Sequence, residues 1–212
     1  MTVVSLASPR RAANRRRRAP QIIEAAAHVF AERGFHGATT QDIADVLGIR
    51  QASLYYYFSS KEEALEVVCL KGVEGFFEAG KAIVEGPGNA RERLRLLINS
   101  HLSPLIDRRD FVQVFLNERQ HLPAESRKRI GRWSRGLERI FEGLIKEGVT
   151  KGEFRADLDP RMAALAILGM CNAAPSWYRK ENAPISHIAR EFARLVIDGM
   201  ESPPAGARRR RR

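Results

Sequence analysis

The stretch from Thr39 to Lys61 (TTQDIADVLGIRQASLYYYFSSK) constrains this chain more than any other. Its residues dictate two short helices and a tight turn. Thr39 is a helix-capping residue with Asp42 three positions on, a pairing in which each side chain satisfies a free backbone N–H of the other. Ile43, Ala44 and Leu47 then fall on one face at helical spacing. Ala44 is small, which lets a second helix approach closely. Gly48 supplies the residue without a Cβ that a left-handed helix end needs. Ile49 and Leu54 close a small core from the other side, and the second helix ends near Phe58. Two short helices joined by a Gly-containing turn form the helix-turn-helix unit, whose second helix lies in the DNA major groove.

The second helix has an unusual surface. Tyr55, Tyr56 and Tyr57 stand in a row. Consecutive side chains are about 100° apart on a helix, so at least one phenol points outward. Beside DNA, such a phenol hydrogen-bonds a phosphate or packs on a thymine methyl. Lys61 opens the next helix, where a lysine works against the dipole; a nearby phosphate would reconcile this, so Lys61 is read as a phosphate contact. Ser59 with Glu62, or Ser60 with Glu63, caps that helix. Gln51 and Ser53 are the expected base readers, since Gln pairs with adenine through two hydrogen bonds. The expected DNA-contacting set is Thr39, Thr40, Arg50, Gln51, Ser53, Tyr55, Tyr56, Tyr57 and Lys61. The bland alternative is an ordinary helical pair with exposed tyrosines.

The run Thr39-Thr40-x-x-Ile43-Ala44 … Gly48 … Leu54-Tyr55-x-Tyr57-Phe58-x-x-Lys61, preceded by Ala25-Ala26 … Phe30-Ala31-Glu32-Arg33-Gly34-Phe35, resembles the DNA-binding domain of the TetR family of transcriptional regulators. The resemblance covers roughly residues 19–66. It implies a helical ligand-binding and dimerisation domain behind the DNA-binding one, with dimers formed through the last two helices. The chain departs from the family pattern at Arg50, where a capping Ser or Thr is frequent, and at Ala52, often Gly. An arginine in place of a cap costs about 1 kcal/mol, which a DNA phosphate or guanine would offset.

Charge points the same way. The net charge of +11 over 212 residues is concentrated at the ends: +5 in residues 1–61, +5 in residues 203–212, and +1 in between. That is the footprint of a phosphate binder rather than of a uniformly basic protein. Residues 1–18, with Arg10, Arg11 and Arg15 to Arg18, read as a disordered basic arm that reaches along the DNA backbone or into the minor groove. Its alternative is a solubilising tail. Residues 203–212 read as a disordered Arg tail. Cys69 and Cys171 have no CxxC partner and read as buried thiols in a reducing compartment. No apolar run reaches transmembrane length, and the first residues place charge after a short apolar stretch, the wrong order for a signal peptide. A cytoplasmic protein is expected.

The expected fold is all-α, with about nine helices. A DNA-binding domain occupies residues 19–66 and an effector-binding and dimerisation domain residues 67–202. Helix 1 runs from about Pro20 to Arg33 and ends at Gly34. A long fourth helix runs from about Ser60 to Glu85, and Gly86-Pro87-Gly88-Asn89 breaks the chain. Pro104 kinks the next helix. Asp159-Pro160 starts another, with Asp as cap and Pro at its first position. Small residues in the last two helices (Ala163, Ala164, Ala166, Gly169 and Ala173) and apolar Ile188, Phe192, Leu195 and Val196 read as a pairing surface. A two-fold dimer suits a palindromic operator.

The chain carries no GxSxG, P-loop, dinucleotide turn or HExxH. No enzyme, cofactor or membrane role is expected. His101, Asn117, Glu118 and His121 form the strongest polar group; a helix end with local hydrogen bonds is preferred over a metal site there. Phe111, Phe115, Glu118, Trp133, Phe141 and Trp177 are the candidate effector pocket, with ordinary core as the alternative for each aromatic. The segment from Asn172 to Ser186, with Trp177-Tyr178-Arg179, is similar to a branch of the family that answers acyl-CoA thioesters. Arg119, Arg132, Arg135 and Arg179 are expected near pocket mouths, where guanidinium groups suit a phosphate or carboxylate. The expected function is a repressor released from a palindromic operator by a small apolar effector, an acyl-CoA being the concrete case. A cationic drug held by Glu118, Glu138 and Glu142 is the competing ligand. An effector-free architectural DNA-binding dimer is the alternative function.

Overall fold

The computed structural model describes residues 9–201, with side chains from residue 17 onward, and no strand occurs among them. In chain order the helices are α1 (Pro9–Gly37), α2 (Thr40–Val46), α3 (Gln51–Leu54), α4 (Lys61–Val73), α5 (Phe76–Glu85), α6 (Ala90–Leu102), α7 (Arg109–Glu118), α8 (Ala124–Thr150), α9 (Pro160–Ala173) and α10 (Ile185–Met200). Single 3-10 turns follow α6, α7 and α9, at Ser103–Leu105, Arg119–His121 and Ala174–Ser176. The all-α fold agrees with the sequence reading.

The described residues divide into two units. Residues 9–72 and 110–128 make the first, and residues 73–109 and 129–201 the second. The linear division expected at residue 66 therefore misses that 110–128 packs with the N-terminal helices. Two further expectations change. Residues 9–18, read as a disordered arm, are helical as the start of α1; residues 1–8 and the Arg tail lie outside the described residues. The long fourth helix is two, α4 and α5, separated at Gly75, whose φ of 84° is left-handed.

In the first unit, α1 loses helical geometry at Gly34 (φ 67°), close to the end read from the sequence. Ile22, Ala26, Val29 and Phe30 of α1 are buried with Ile43, Ala44, Leu54 and Phe58. Val68 and Cys69 of α4 and Val114 and Phe115 of α7 extend this core. At Gly72 the two helices meet so closely that a Cβ would lie 2.6 Å from the Phe111 carbonyl oxygen and 2.9 Å from the Phe115 Cβ.

In the second unit, a capping box between Asn89 and Glu92 starts α6, as Asp159 starts α9 by accepting from the N–H groups of Arg161 and Met162 at 2.9 and 3.1 Å. The expected kink at Pro104 is a helix end: α6 stops at Leu102 and the proline sits in the 3-10 turn. Arg93 is buried and fastens three segments. It donates to the Val84 carbonyl at 2.7 Å and to Glu147, and its Nε reaches the Asn89 carbonyl at 3.5 Å. Hydrogen bonds from Lys151 and then Arg93 hold Glu147 below the usual carboxylate range. Burial pushes both cysteine thiols up to about 12, so Cys69 and Cys171 stay neutral.

Candidate nucleic-acid interface and effector region

Two caps frame the outer surface of the first unit. Thr39 Oγ1 accepts the Asp42 N–H at 3.1 Å, and Asp42 Oδ2 accepts the Thr39 N–H at 2.8 Å. The Thr39 hydroxyl also donates to Asp42, and with the Thr39 backbone N–H and the Arg33 guanidinium it holds the Asp42 carboxyl below its ordinary range. Gly48 takes φ 61°, as its position required. Ser60 accepts the Glu63 N–H at 3.1 Å and caps α4.

Between these caps the chain presents a small polar and aromatic surface. Arg50 is the extended N-cap residue of α3 and makes no side-chain cap hydrogen bond; its side chain is exposed. Helix α3 ends at Leu54, earlier than expected, so the three tyrosines stand on the turn that follows. Tyr56 is 74% exposed and Tyr55 52%, while Tyr57 is half-buried. Val46, 55% exposed, joins this surface, and the sequence reading missed it. Gln51 Nε2 donates to Thr40 Oγ1 at 2.7 Å, so the expected base reader is braced by another residue of the expected set. Ser53 is half-buried and Thr39 exposed.

Lys61 departs from its expected place. Its Nζ donates to the Phe35 carbonyl at 2.8 Å and the Ala38 carbonyl at 2.9 Å, and lies 4.4 Å from the centre of the Phe35 ring. The ammonium is satisfied by the turn between α1 and α2, which answers the dipole argument without a phosphate. From the opposite side of the same turn, Glu118 Oε2 accepts the Phe35 N–H at 2.9 Å. His121 lies 3.7 Å from that carboxylate oxygen and stacks on the Phe35 ring at 5.5 Å. No signal within the N-terminal sequence marks these partners.

The expected pocket residues do not come together in one unit. Phe111, Phe115 and Glu118 belong to the first unit, and Trp133, Phe141 and Trp177 to the second. Phe115 is buried under the Arg119 guanidinium, 5.0 Å from its ring centre. Trp177 packs on Phe192 at 6.0 Å and Trp133 on Phe77 at 5.9 Å, with Trp133 still 43% exposed. Phe141 does line a small cavity of about 170 Å3, part of it open to solvent, with Phe76, Gly80, Leu97, Ser100, His101 and Leu137. His101 Nε2 pairs with Asn172 Oδ1 at 3.0 Å, and its buried Nδ1 has no hydrogen-bond partner among the described residues. His101 therefore sits in the second unit, apart from the group with Glu118 and His121 in which the sequence placed it, and no three metal-ligating side chains cluster among the described residues. Glu138 and Glu142 both bind Arg161, at 2.9 and 3.4 Å, rather than facing aromatic rings.

In the last two helices, Ala166, Gly169, Ala173 and Leu195 are exposed, together with Met162 and Leu165, which the sequence reading did not select. Ala164 and Ile188 turn inward instead and are buried. No helix among the described residues is long and apolar enough to cross a membrane.

Residues 22–68 match the family described as bacterial regulatory proteins, tetR family, and residues 87–200 match the tetracyclin repressor-like C-terminal domain. The fatty acid metabolism regulator protein of Bacillus subtilis is 31% identical, over 86% of this chain and 95% of that protein. The structure of the ketosteroid transcriptional regulator KstR2 of Mycobacterium tuberculosis superposes with a TM-score of 0.82 at 27% identity, covering 88% of this chain and 96% of that one. The structure of AibR in complex with isovaleryl coenzyme A and operator DNA gives a TM-score of 0.74 at 26% identity, covering 88% and 99%.

Proposed function

The chain belongs to the TetR family of bacterial regulatory proteins, and from that premise we propose that it is a cytoplasmic, homodimeric repressor that leaves a palindromic operator when a small, largely apolar effector binds. The observation that carries the DNA half is the surface between the two caps: exposed Arg50, Tyr55 and Tyr56 on either side of α3, which follows a helix start set by Thr39 and Asp42 and a left-handed turn at Gly48. A guanidinium and two phenols on such a surface suit phosphate and base-edge contacts. Exposed Met162, Leu165 and Leu195, beside small Ala166 and Gly169, suit pairing of α9 and α10 with a second copy.

For the effector, an acyl-CoA thioester is the concrete case. AibR was solved with isovaleryl coenzyme A, and the cavity around Phe76, Leu97 and Phe141 offers apolar walls. A ligand that binds the operator-incompetent conformation more tightly shifts the population away from DNA. The enclosed part of this cavity has room for only about one water, far below the roughly 300–1,000 Å3 of sites for drug-sized ligands, so an acyl chain must enlarge it. That same smallness supports a second reading, an effector-free DNA-binding dimer.

The test begins with selection of bound sequences from a random duplex library. Enrichment of a two-fold symmetric site is expected, and uniform recovery of all sequences would refute operator reading. Release of the selected duplex is then measured against acyl-CoAs, free fatty acids and cationic dyes. Release by dyes alone would overturn the acyl-CoA assignment, and release by nothing would favour the effector-free reading.

A further inference from the structure

Helix α8 carries a cationic stripe that the DNA-reading surface does not use. Arg132, Arg135, Arg139 and Lys146 are all exposed and all lie in the second unit. At about 100° and 1.5 Å per residue they project within about 60° of one another and span about 21 Å along the helix. Leu137 and Phe141, which line the cavity, project from the other side of α8, so Arg132 and Arg135 do not guard its mouth as the sequence suggested.

The stripe is uncompensated because the acids of this part of the helix are engaged elsewhere. Glu138 and Glu142 bind Arg161 of α9. Glu147 binds Arg93 and Lys151. The four cations of the stripe make no ion pair among the described residues. No large apolar side chain interrupts them: Trp133 projects away from the stripe and packs edge-on against Phe77. An interface with a folded protein has an apolar centre, which this face lacks. A straight row of three arginines and a lysine is complementary to a row of phosphates.

We infer that this face of α8 is a second, sequence-independent DNA-binding surface that engages the phosphate backbone of a duplex outside the half-site read by Arg50 and the tyrosines. It goes beyond operator reading and rests on DNA being the partner of this chain. It would raise affinity for long or crowded DNA without altering base preference, because phosphate contacts carry no sequence information directly.

The test uses the full chain and a fluorescent 40-base-pair duplex of random sequence, with affinity followed as salt is raised. Each phosphate contact contributes about 0.9 to the slope of log affinity against log salt. The variant Arg132→Gln, Arg135→Gln, Arg139→Gln, Lys146→Gln is expected to lose about 3 to 4 from that slope. The charge-conserving variant Arg132→Lys, Arg135→Lys, Arg139→Lys is expected to retain it. A third variant, Arg50→Gln with Tyr56→Ala, is expected to keep the part of the slope contributed by the stripe while losing the part contributed by the reading surface. A glutamine variant with the wild-type slope would overturn the proposal, and if it had instead lost binding to polyglutamate, an acidic protein would be the partner. Absence of any salt-dependent DNA binding by the wild type would overturn the operator reading as well. All four substituted side chains are exposed, so an unchanged melting temperature of the glutamine variant separates a lost contact from a lost fold.

Discussion

Glu118 Oε2 accepts the backbone N–H of Phe35 at 2.9 Å, across 83 residues of sequence. The turn it grips follows Gly34, where α1 loses its helical geometry, and leads directly into Thr39, the cap of α2. Lys61 holds the carbonyls of Phe35 and Ala38 in the same turn. One carboxylate and one ammonium therefore fix the N–H and C=O sides of the segment that sets the direction of α2.

Removing the carboxylate tests the first half of this grip. Glu118 is largely buried, with 17% of its side chain exposed, and a hydrogen bond to a charged group contributes about 1.5–3 kcal/mol. Glu118→Ala is expected to lose that much in urea unfolding, and to weaken operator binding because Thr39 is no longer held in register. Glu118→Gln keeps an acceptor and is expected to lose less than half as much. Equal losses in the two variants would mean that packing, not the bond to Phe35, accounts for the effect.

Lys61→Met tests the second half, and separates it from the phosphate role expected from the sequence. The variant leaves two carbonyls without their donor, an expected cost of about 1–3 kcal/mol in stability. The salt slope of DNA binding is expected to stay within about 0.5 of wild type, since no phosphate contact is lost. A slope lower by about 0.9 with unchanged stability would return Lys61 to the phosphates.

What the sequence revealed and what it hid divide by range. The pairing of Thr39 with Asp42, the left-handed Gly48 and the Asp159-Pro160 start all act within four residues, so their residue types announce them. The grips on Phe35 come from 26 and 83 residues away and have no local signature. Nor did periodicity show that residues 110–128 pack with the N-terminal helices, because an amphipathic helix does not name its partner. Composition alone reads the arginine run before Pro20 as disorder, although arginine is a good helix former and α1 begins at Pro9. Aromatic type likewise does not separate core from wall: Phe141 is fully buried and Trp133 43% exposed, and of these two it is the buried Phe141 that borders the cavity.

Arg50 is expected to trade stability for binding. It occupies the N-cap position of α3 in extended geometry and makes no side-chain cap bond. A serine there accepts a free N–H of the first turn, a gain of about 1 kcal/mol. For a chain of this size that corresponds to about 2–4 °C. Arg50→Ser is therefore expected to raise the melting temperature while weakening operator affinity in an anisotropy titration. Unchanged affinity would make Arg50 an ordinary surface arginine.

Gly72→Ala is expected to destabilise the first unit without touching the DNA-facing residues. The added methyl would lie 2.6 Å from the Phe111 carbonyl oxygen, a backbone atom that moves only with α7. Overpacking of this kind costs about 1–3 kcal/mol. Because α7 ends at Glu118, the displacement is also expected to weaken operator binding more than its stability cost alone. A variant of wild-type stability would show that α4 and α7 separate freely at this crossing.

The last expectation concerns pH. Burial lowers the pKa of His101 below its ordinary value, and the bond to Asn172 opposes this only in part. Its nearest rings, Phe76 at 5.2 Å and Phe141 at 6.2 Å, carry no charge to stabilise an imidazolium. The unfolded chain titrates this group near pH 6.5, so below that pH the unfolded state binds the proton more readily than the folded state. Linkage then fixes the sign: stability is complete above about pH 6.5 and falls as pH drops toward the lowered folded value. Between pH 7.5 and 5.5 the melting temperature of the wild type is expected to fall more steeply than that of His101→Gln, which has no group to titrate there. His28, His36, His121 and His187 are common to both proteins and cancel in the difference. Parallel curves for the two proteins would show that His101 takes up its proton as readily in the folded chain as in the unfolded one.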